Sequence, residues 1–468
     1  MHRIIHDFFS YNNRVIRRLG DQLEKALDRR DLEMLLLVAR EAQPLGLALY
    51  MVGGFPRDLA LGRVPTDYDL VVEGSAIELA RALAAKYGGV TSIHPRFGTA
   101  KWHLETVMAR GWSGGASESG YLRMHLDLIS ARTEVYPRPA QLPHVRLGSI
   151  EEDLRRRDFT INTLAIRLDG LHFGTILDPL GAINDLERGV ISVLHDASFR
   201  DDPTRMYRAV RYEQRLGFKI TSDTLQLLPK ARQFIGQLSA HRIRQELDQI
   251  MGEEQAAAMV QRLGGLGLLS AVHRALPYDR ATIRRLSVGQ EAPAHAEDTS
   301  RSSRGRAKRW LLWLVDLSQE QIRSVRQRLL FENRLTDELL TSSELRRSIK
   351  GLIRLRPSKL TEHLRRLPLP AVEAVHDAMP PGKARNLLCQ YLTDWRHVRT
   401  RATGADLREL GIPPGPAYRS ILQELRAGWI DGTIRSAAEE RLQLEKSLSR
   451  LQRADGRTGR KASRCRIT

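Results

Sequence analysis

Apolar and polar residues alternate with two different periods along the chain, and the change of period divides it. Residues 20–43 repeat apolar positions at helical spacing, as at Leu23, Leu27 and Val38. From Ala48 the pattern changes to short β-type runs, which predict five strands with one helix, over residues 77–88, between the second and the third. The predicted strands cover residues 47–54, 66–74, 89–94, 99–107 and 122–131. Together these elements predict a compact α+β unit that ends near residue 170.

The second half of the chain has a helical pattern almost throughout. From Asp201 to about residue 452, apolar positions recur every three or four residues, and strand signals nearly vanish. Residues 288–308 are polar and rich in small residues, which predicts a mobile linker or an insertion. The basic end, residues 456–468, is typical of a disordered tail. No internal repeat is evident, which argues against a solenoid.

The composition of the chain indicates a polyanionic partner. The 468 residues include 74 Lys and Arg against 55 Asp and Glu, a formal charge of +19. Such a charge favours nucleic acid as a partner, with a generic basic protein as the alternative. No apolar run is long enough to span a membrane, so we expect no membrane partner.

Cysteine content and the first residues bear on the compartment. The two cysteines, Cys389 and Cys465, are too few and too far apart for a disulfide framework or a zinc site. The first twenty residues mix charges with apolar residues and lack the clean run of a signal peptide. We therefore expect a cytoplasmic protein.

The first candidate for chemistry is the pair Asp67 and Asp69, which lies within the second predicted strand. On an extended strand, side chains at i and i+2 project from the same face, so the two carboxylates can share metal ions. Carboxylate oxygens suit Mg²⁺, and two such ions can stabilise the attacking and leaving oxygens of a phosphoryl displacement. A solvated turn is the alternative interpretation of an isolated pair.

A glycine turn precedes this pair. Gly53 and Gly54 lie at the end of the first predicted strand, and Arg57 and Asp58 follow at the predicted start of a helix. Glycine lets the backbone approach an anion closely, and an arginine can add charge-assisted bonds, so the turn suits phosphate. An ordinary glycine turn capped by Asp58 is the alternative.

Two further candidates follow along the chain. Asp127, on the last predicted strand, can complete the metal site or can be a structural residue at a sheet edge. Arg156, Arg157 and Asp158 precede a segment that alternates apolar and polar residues, and guanidinium groups match phosphate and ribose oxygens. The arginines can also be a basic helix end.

These residues belong to an ordered set of motifs that resembles a known family. The segments GGFPRDLALG, TDYDLVV, EDLRRRDFTIN, DPLGAINDL and DDPTRMYRAVRY are similar to motifs of class II tRNA nucleotidyltransferases and bacterial poly(A) polymerases. The similarity covers roughly residues 48–250, and a weaker one continues to GADLRELGIPPGP. The resemblance implies a polymerase-β-like nucleotidyltransferase head with a mixed sheet, followed by all-α neck, body and tail domains, and metal ions held by Asp67 and Asp69.

The resemblance also sets expected domain boundaries. They are an N-terminal helical extension (1–45), the catalytic head (46–170), the neck for base recognition and RNA binding (171–270), the body with the flexible segment 288–308 (271–400), the RNA-binding tail (401–455) and the basic tail (456–468). The segment with Asp178, Gly181 and Asp185 looks like the family's hinge between head and neck. The RRD motif, here Arg156, Arg157 and Asp158, is expected to contact the ribose of the incoming nucleotide.

The family's base-reading motif maps onto Asp201, Asp202 and Arg205. Adenine and cytosine each present an amine donor beside a ring-nitrogen acceptor, so Asp202 can accept from the amine while Arg205 donates to the ring. Guanine and uracil have the opposite polarity and would leave both groups unpaired. Many members carry Glu at the position of Asp201. Arg208 and Arg211 share a helix face with Arg205 and are expected to line the site.

The expected activity is template-independent addition of CCA, or of its terminal A, to tRNA 3′ ends from CTP and ATP, with Mg²⁺ as cofactor and pyrophosphate released. A flexible segment that begins at Tyr136 precedes RRRDFTIN. Because the family ties such a segment to switching from C to A, its presence disfavours an enzyme that adds C alone. Poly(A) synthesis is the second interpretation, and a non-catalytic RNA-binding protein is the alternative of another class. We expect RNA, ATP and CTP as partners and have no basis for a protein partner; the sequence leaves open the exact RNA and the oligomeric state.

Overall fold

The structure is a computed structural model, and it describes residues 23, 25–65, 68–104, 125–288, 299–412 and 414–462. The chain divides into two compact units. The first comprises residues 1–250 and 262–272, and the second comprises residues 251–261 and 273–468. Each unit is described by itself below.

The first unit contains a sheet of seven strands in the order β3-β4-β5-β2-β1-β8-β9. Strands β2 and β5 are parallel, and every other neighbouring pair in this sheet is antiparallel. The strands are β1 (Ala48–Val52), β2 (Asp69–Glu73), β3 (Val90–His94), β4 (Thr99–His103), β5 (His125–Ser130), β8 (Ala165–Arg167) and β9 (Ile176–Leu177). This mixed sheet confirms the predicted α+β class.

Two smaller pairs of strands accompany the main sheet. Strands β6 (Arg132–Val135) and β7 (His144–Leu147) form an antiparallel hairpin, and β10 (Val190–Ile191) pairs in parallel with β11 (Lys219–Ile220). The loop of the hairpin, residues 136–143, is the Pro-containing start of the segment that the sequence predicts to be flexible. Helix α4 (Ile150–Arg155) follows the hairpin, so the segment that is predicted to be flexible contains regular structure beyond this loop.

Burial explains why the central strands form where the sequence predicts them. Strand β1 and strand β2 are apolar runs with buried centres, as expected for strands covered on both faces. Edge strand β3 alternates exposed and half-buried positions instead. One core cluster joins Tyr50, Val52 and Val71 to Ile150 and Leu154 of the following helix. The sheet is therefore anchored to the segment that carries the arginine cluster.

The helices up to residue 272 belong to the first unit, except for their residues within 251–261, which belong to the second. They are α1 (Arg29–Ala42), α2 (Gly54–Ala60), α3 (Ala76–Tyr87), α4 (Ile150–Arg155), α5 (Ala182–Arg188), α6 (Ser198–Asp201), α7 (Thr204–Leu216), α8 (Ser222–Ala231), α9 (Ala240–Gly252), α10 (Ala256–Gly265) and α11 (Leu268–Val272). Asp178 caps α5 by accepting hydrogen bonds from the amides of Ala182 and Ile183, at 2.7 and 3.0 Å. Gly181 has a φ of 74°, which suits the turn into that helix.

The second unit is helical throughout its described residues. Its helices are α12 (Arg280–Val288), α13 (Thr299–Leu314), α14 (Gln319–Leu329), α15 (Asn333–Leu352), α16 (Pro357–Leu364), α17 (Leu369–Ala378), α18 (Lys383–Thr393), α19 (Gly404–Glu409), α20 (Pro416–Ile430) and α21 (Ala437–Ala462). Trp310 packs against Trp313 and Phe331, with ring centroids 5.1 and 5.0 Å apart. A separate cluster around Leu407 and Leu425 holds the last helices.

Some predicted boundaries differ from the observed elements. Helix α13 begins at Thr299, inside the segment 288–308, whereas residues 289–298 of that segment lie outside the described residues. Helix α21 extends to Ala462, beyond the predicted start of a disordered tail at residue 456. Residues 1–22 of the expected N-terminal extension and residues 463–468 also lie outside the described residues. None of the described helices is both long and apolar enough to cross a membrane.

Candidate active site

A cavity of about 520 Å³ opens in the first unit, where the sheet meets α7 and α9. Its wall includes residues of the glycine turn, the strands, the arginine cluster and both helices. The lining residues are Gly53, Gly54, Asp69, Phe97, Ile129, Arg132, Glu134, Tyr136, Leu142, Pro143, Arg156, Arg157, Asp158, Asn162, Asp202, Thr204, Arg205, Arg208, Tyr212, Arg242, Gln245 and Glu246. The cavity thus brings together most of the residues that the sequence singles out.

Asp69, which lines the cavity, has a second carboxylate of the sheet beside it. Asp69 opens β2 and is directly opposite Asp127 of the parallel strand β5, so both side chains project from the same face. Lys101, opposite Asp127 on β4, is 3.3 Å from its carboxylate. The prediction that Asp127 adjoins the metal-binding pair is thus consistent with the register, although its side chain already has a cationic partner. Asp67 lies outside the described residues.

The chemistry of these carboxylates fits a hard divalent cation. Asp69 and Asp127 offer carboxylate oxygens, the ligands that Mg²⁺ prefers in proteins. Within the described part of the chain, no three His, Cys, Asp or Glu side chains are close enough to share a metal ion. A complete site would therefore include Asp67, two residues before Asp69.

The glycine turn lies beside Asp69. Gly53 has φ 74° and ψ −119°, a conformation that side chains with a Cβ rarely adopt. A Cβ at Gly53 would lie 3.2 Å from Nη1 of Arg157 and 3.4 Å from Oδ2 of Asp69. The backbone therefore runs close beside both a guanidinium and a carboxylate, as expected for a turn that a triphosphate can approach.

Arg57, the residue of this turn that is expected to bind phosphate, has its guanidinium group paired within the protein. Its side chain is buried, with the residue only 3% exposed, and it does not line the cavity. The guanidinium donates to both carboxylate oxygens of Asp58, at 2.9 and 3.0 Å, and to Oδ1 of Asn162, at 2.8 Å. It also lies 5.2 Å from the ring centroid of Tyr212. Arg57 thus positions Asn162 from beneath the cavity, because contact with phosphate would break these bonds.

Arg156 and Arg157 follow α4, and one buried carboxylate holds both. The helix begins with a capping box between Ser149 and Glu152 and ends at Arg155, so Asp153 is one turn before the two arginines. Asp153 accepts from Arg156 at 2.9 and 2.6 Å and from Arg157 at 2.9 Å. Burial of Asp153 opposes its ionisation, but the two guanidinium groups hold its pKa below the usual range.

Asp158 accepts three hydrogen bonds from the protein. Its Oδ1 accepts from the amide of Phe159 at 2.9 Å and from Nδ2 of Asn162 at 2.8 Å. Its Oδ2 accepts from Nε of Arg208 at 2.7 Å, and Nη2 of the same guanidinium forms an ion pair with it at 2.5 Å. Burial opposes ionisation, but Arg208 and Asn162 lower the pKa of Asp158 to about 2. Asp158 lines the cavity, and its Oδ2 accepts one hydrogen bond from the protein, so this oxygen can accept another from a ligand.

The two residues expected to read the base lie together at the start of α7. Oδ1 of Asp202 accepts from the amide and hydroxyl of Thr204, at 2.9 and 2.6 Å, and from Nη2 of Arg242 at 2.6 Å. Arg205 donates to Ser198 Oγ and to the carbonyl of Arg156, both at 2.8 Å. These bonds fix the orientation of both side chains, and both line the cavity.

Asp201 and the later arginines of α7 have different surroundings. Asp201 lies 3.3 Å from Arg200 and does not line the cavity. Arg208 lines the cavity, and burial opposes its charge while Asp158 raises its pKa well above the ordinary value. Arg211 is buried against the ring of Tyr212, at 5.7 Å from the centroid, and is not among the lining residues. Its expected contact with nucleotide is therefore not supported by its position.

Several cavity residues escaped the sequence analysis. Glu134 accepts from Arg132 at 3.0 Å, from Arg156 at 2.9 Å and from Tyr136 at 2.8 Å, so it joins the β6–β7 hairpin to the arginine cluster. Burial and the neighbouring carboxylate raise the pKa of Tyr136. No motif marks Glu134 in the sequence, although Arg132 and Tyr136 are only two residues away; its third partner, Arg156, comes from a separate element.

Three residues of α9 also line the cavity, namely Arg242, Gln245 and Glu246. Arg242 and Glu246, from the segment HRIRQEL, are four residues apart and so share a helix face. Arg242 donates to the carbonyl of Ala140 at 2.8 Å as well as to Asp202. No site residue was predicted in this segment, although the i, i+4 spacing of Arg242 and Glu246 on one helix face was an available signal.

Family models match two parts of the chain. Residues 49–192 match a model described as Poly A polymerase head domain. Residues 217–278 match one described as Probable RNA and SrmB- binding site of polymerase A. The first match spans the sheet and the arginine cluster, and the second lies in the helical part that follows.

Whole-chain comparisons agree. The A-adding tRNA nucleotidyltransferase of Geobacter sulfurreducens is 32% identical over 93% of this chain and 49% of its own, so this chain spans about half of that relative. The CC-adding tRNA nucleotidyltransferase of the same organism is 30% identical over 88% of this chain and 94% of its own. The structure of the Thermotoga maritima CCA-adding enzyme complexed with tRNA has a TM-score of 0.71 at 25% identity, over 93% of this chain and 98% of its own. The chain therefore belongs to the class II tRNA nucleotidyltransferase and poly(A) polymerase family of enzymes.

Proposed function

We propose that the protein adds CCA, or its terminal A, to tRNA 3′ ends from CTP and ATP, without a nucleic-acid template. The observation that carries this proposal is the content of one cavity. Asp69 and the glycine turn line it together with Asp202 and Arg205. A single nucleoside triphosphate of ordinary size would thus meet a catalytic carboxylate and a base-reading pair at once.

Base selection follows from the side chains that face the cavity. Oδ1 of Asp202 is held by Thr204 and Arg242, so Oδ2 is directed to accept from the amine of adenine or cytosine. Arg205 is fixed by Ser198 and a main-chain carbonyl and can still donate to the ring nitrogen. Uracil and guanine would face these groups with the wrong polarity and would leave them desolvated and unpaired.

The triphosphate would lie against the glycine turn. Arg157 is close to Gly53, and Asp153 orients its guanidinium from the opposite side. The family requires a divalent metal ion, and we propose Mg²⁺, held by Asp67 and Asp69 with Asp127 beside them. When bound, the metal would supply the positive charge that phosphoryl transfer needs. The chain's own contribution is positioning, since no neutral base adjoins Asp69 among the described cavity residues.

The strongly basic chain supports RNA as the polymeric substrate. A protein that neutralises phosphates with Lys and Arg releases counterions, so its RNA affinity should fall steeply with salt. The neck and tail domains are expected to hold the RNA, and the proposed chemistry requires a compartment that contains tRNA and ATP, such as the cytoplasm.

The test uses the purified full chain, Mg²⁺ and three tRNA transcripts, which lack CCA, lack only the final A, or are complete. ATP and CTP are given singly and together, and products are sized. Completion of the shortest transcript supports the full repair activity, and extension only of the second supports A addition. Long A tails would favour poly(A) synthesis. Failure to extend any RNA would favour a binding protein.

Variants of the site distinguish the activity of this protein from that of a contaminating enzyme. Asp67→Ala and Asp69→Ala are each expected to abolish extension, because phosphoryl transfer depends on the metal ligands. Asp223→Ala removes an exposed carboxylate from α8, outside the cavity, and is expected to retain full activity. Extension that survives Asp67→Ala or Asp69→Ala would contradict the proposed mechanism.

A further inference from the structure

Three charged side chains lie in a row across neighbouring strands of the main sheet. Asp69 of β2 is directly opposite Asp127 of β5, and Asp127 is directly opposite Lys101 of β4. Residues that are directly opposite on paired strands project from the same face of a sheet. The row therefore leads from Asp69, which lines the cavity, through Asp127 to a lysine.

The ion pair between Lys101 and Asp127 is weak and accessible. Nζ of Lys101 is 3.3 Å from Oδ1 of Asp127, which is longer than a strong charge-assisted hydrogen bond of about 2.8 Å. The two side chains are 36% and 42% exposed, and an ion pair in contact with water contributes little net stability. Nε2 of His125 is farther away, at 3.8 Å from Oδ2. Another cation can therefore replace Lys101 at Asp127 at small cost.

A buried carboxylate in the same unit shows the contrast. Asp153 has no exposed surface and accepts from Arg156 and Arg157 at 2.6 to 2.9 Å. Removing a partner from such a carboxylate would leave an uncompensated charge out of water, so these bonds persist. Asp127 is not constrained in this way, because water can solvate its carboxylate when Lys101 leaves.

Lys101 offsets negative charge at the place where the proposed metal ion would offset it. Asp127 adds a third carboxylate to the pair Asp67 and Asp69, and neighbouring carboxylates disfavour each other's ionised form. Without a metal ion, the ammonium group of Lys101 compensates part of this charge. With a divalent ion at Asp69, the same ammonium group would be an unfavourable neighbour, because like charges a few ångströms apart repel. The ion pair and a metal ion should therefore compete for Asp127.

We propose that Lys101 is an exchangeable counter-ion of the metal site. It pairs with Asp127 in the absence of metal and releases this carboxylate as a further ligand when a divalent ion binds. The inference rests on the proposed function in one respect, namely that Asp67 and Asp69 hold the metal ion. It goes beyond that function because it assigns a role to Lys101 and makes Asp127 a conditional ligand. Its consequence is that the charge of Lys101 lowers the affinity of the site for a divalent ion.

The test measures binding of Mn²⁺, a paramagnetic substitute for Mg²⁺, to the full chain without nucleotide or RNA, by electron paramagnetic resonance of the free ion. The binding that Asp69→Ala removes defines the site. Lys101→Met should raise the affinity of this site for Mn²⁺ about two- to fivefold, the weight of an exposed ion pair. Lys101→Arg keeps the cation and should retain the wild-type affinity. Lys86→Met, which removes an exposed lysine paired with Glu41 outside the cavity, should also leave the affinity unchanged.

A double-mutant cycle separates loss of the ion pair from a general loss of positive charge. Asp127→Asn should weaken Mn²⁺ binding, because it removes a carboxylate ligand. In the Asp127→Asn background, Lys101→Met should no longer raise the affinity, since the lysine has no carboxylate to withhold. Lys101 is partly exposed and its ion pair contributes little stability, so these variants are expected to fold. Thermal unfolding without metal verifies this.

Three results would overturn the inference. Unchanged or weaker Mn²⁺ binding by Lys101→Met would show that the ion pair does not compete with the metal ion. An equal gain in the wild-type and Asp127→Asn backgrounds would assign Lys101 a general electrostatic effect. Absence of any Mn²⁺ binding that Asp69→Ala removes would reject the metal site itself. By contrast, the expected pattern of Mn²⁺ affinities without extension of any tRNA would reject the proposed function and leave this inference intact.

Discussion

Alanine at Gly53 should impair nucleotide transfer far more than alanine at Gly62, although both glycines have a left-handed φ. Gly62 has a φ of 66°, and a Cβ there would meet no atom within 4 Å. Gly53 has a φ of 74° with ψ −119°, and a Cβ there would meet Arg157 and Asp69. The two substitutions therefore share backbone strain, and only one of them crowds the site.

The expected magnitudes follow from these surroundings. Backbone strain at a left-handed residue costs about 1–2 kcal/mol, so both variants should lose stability of that order. At Gly53 the added carbon would be 3.2 Å from Nη1 of Arg157. The other terminal nitrogen of that guanidinium, Nη2, donates to Asp153 at 2.9 Å. The guanidinium must move by a few tenths of an ångström. Since displacements of about 1 Å can cost about 100-fold in rate, we expect at least about a 10-fold loss.

The assay compares kcat/KM for ATP addition to a tRNA transcript that lacks its final A, together with urea unfolding of each variant. Gly53→Ala should lose more activity than unfolding of part of the protein explains. Gly62→Ala should keep wild-type activity at temperatures where it is folded. Equal activities of the two variants would refute the idea that close backbone approach at Gly53 serves the site.

Other consequences of the site geometry can be measured separately. Arg242→Gln removes the 2.6 Å hydrogen bond to Asp202 and should raise UTP misincorporation relative to ATP by about 10-fold. Arg244→Gln, on the same helix, should leave UTP misincorporation unchanged. Equal fidelity of the two variants would count against base positioning by Arg242. Asp158, with a folded pKa of about 2, should contribute about 2 kcal/mol of stability above pH 5, lost as the pH falls from about 4 to 2. The Tm difference between wild type and Asp158→Asn should therefore shrink over that range, and a constant difference would reject this linkage. Glu246→Gln should raise Tm at pH 8 more than at pH 5, because burial raises the pKa of Glu246 and its ionisation at high pH costs stability; a larger gain at pH 5 would reverse the assigned sign.

The sequence predicted the sheet well because its strands have strong local signals. Strands β1 and β2 are apolar runs, each followed by a glycine, and the predicted strands 47–54 and 66–74 contain them. The β6–β7 hairpin was not predicted, because its connection contains Pro137, Pro139 and Pro143, which read as a loop. Hairpin pairing depends on contacts that a local pattern does not contain.

The site was predicted in part, and the misplaced residues share one cause. The sequence shows which side chains can bind phosphate or a base, but it does not show which donors other protein groups already occupy. Arg57 was expected at phosphate and is instead held by Asp58 and Asn162. Asp153 precedes Arg156 and Arg157 by three and four residues, a helical spacing that predicts ion pairs. That signal was available and was not used.

The charges that line the cavity have a consequence for how the protein separates its two substrates. Six arginines and five carboxylates face this cavity, so its walls are almost neutral, while the chain as a whole carries +19. The excess positive charge therefore belongs to surfaces other than this wall. Nucleotide choice depends on directed hydrogen bonds within a balanced interior, and attraction of a long polyanion depends on the exterior. Each property can change by substitution without altering the other.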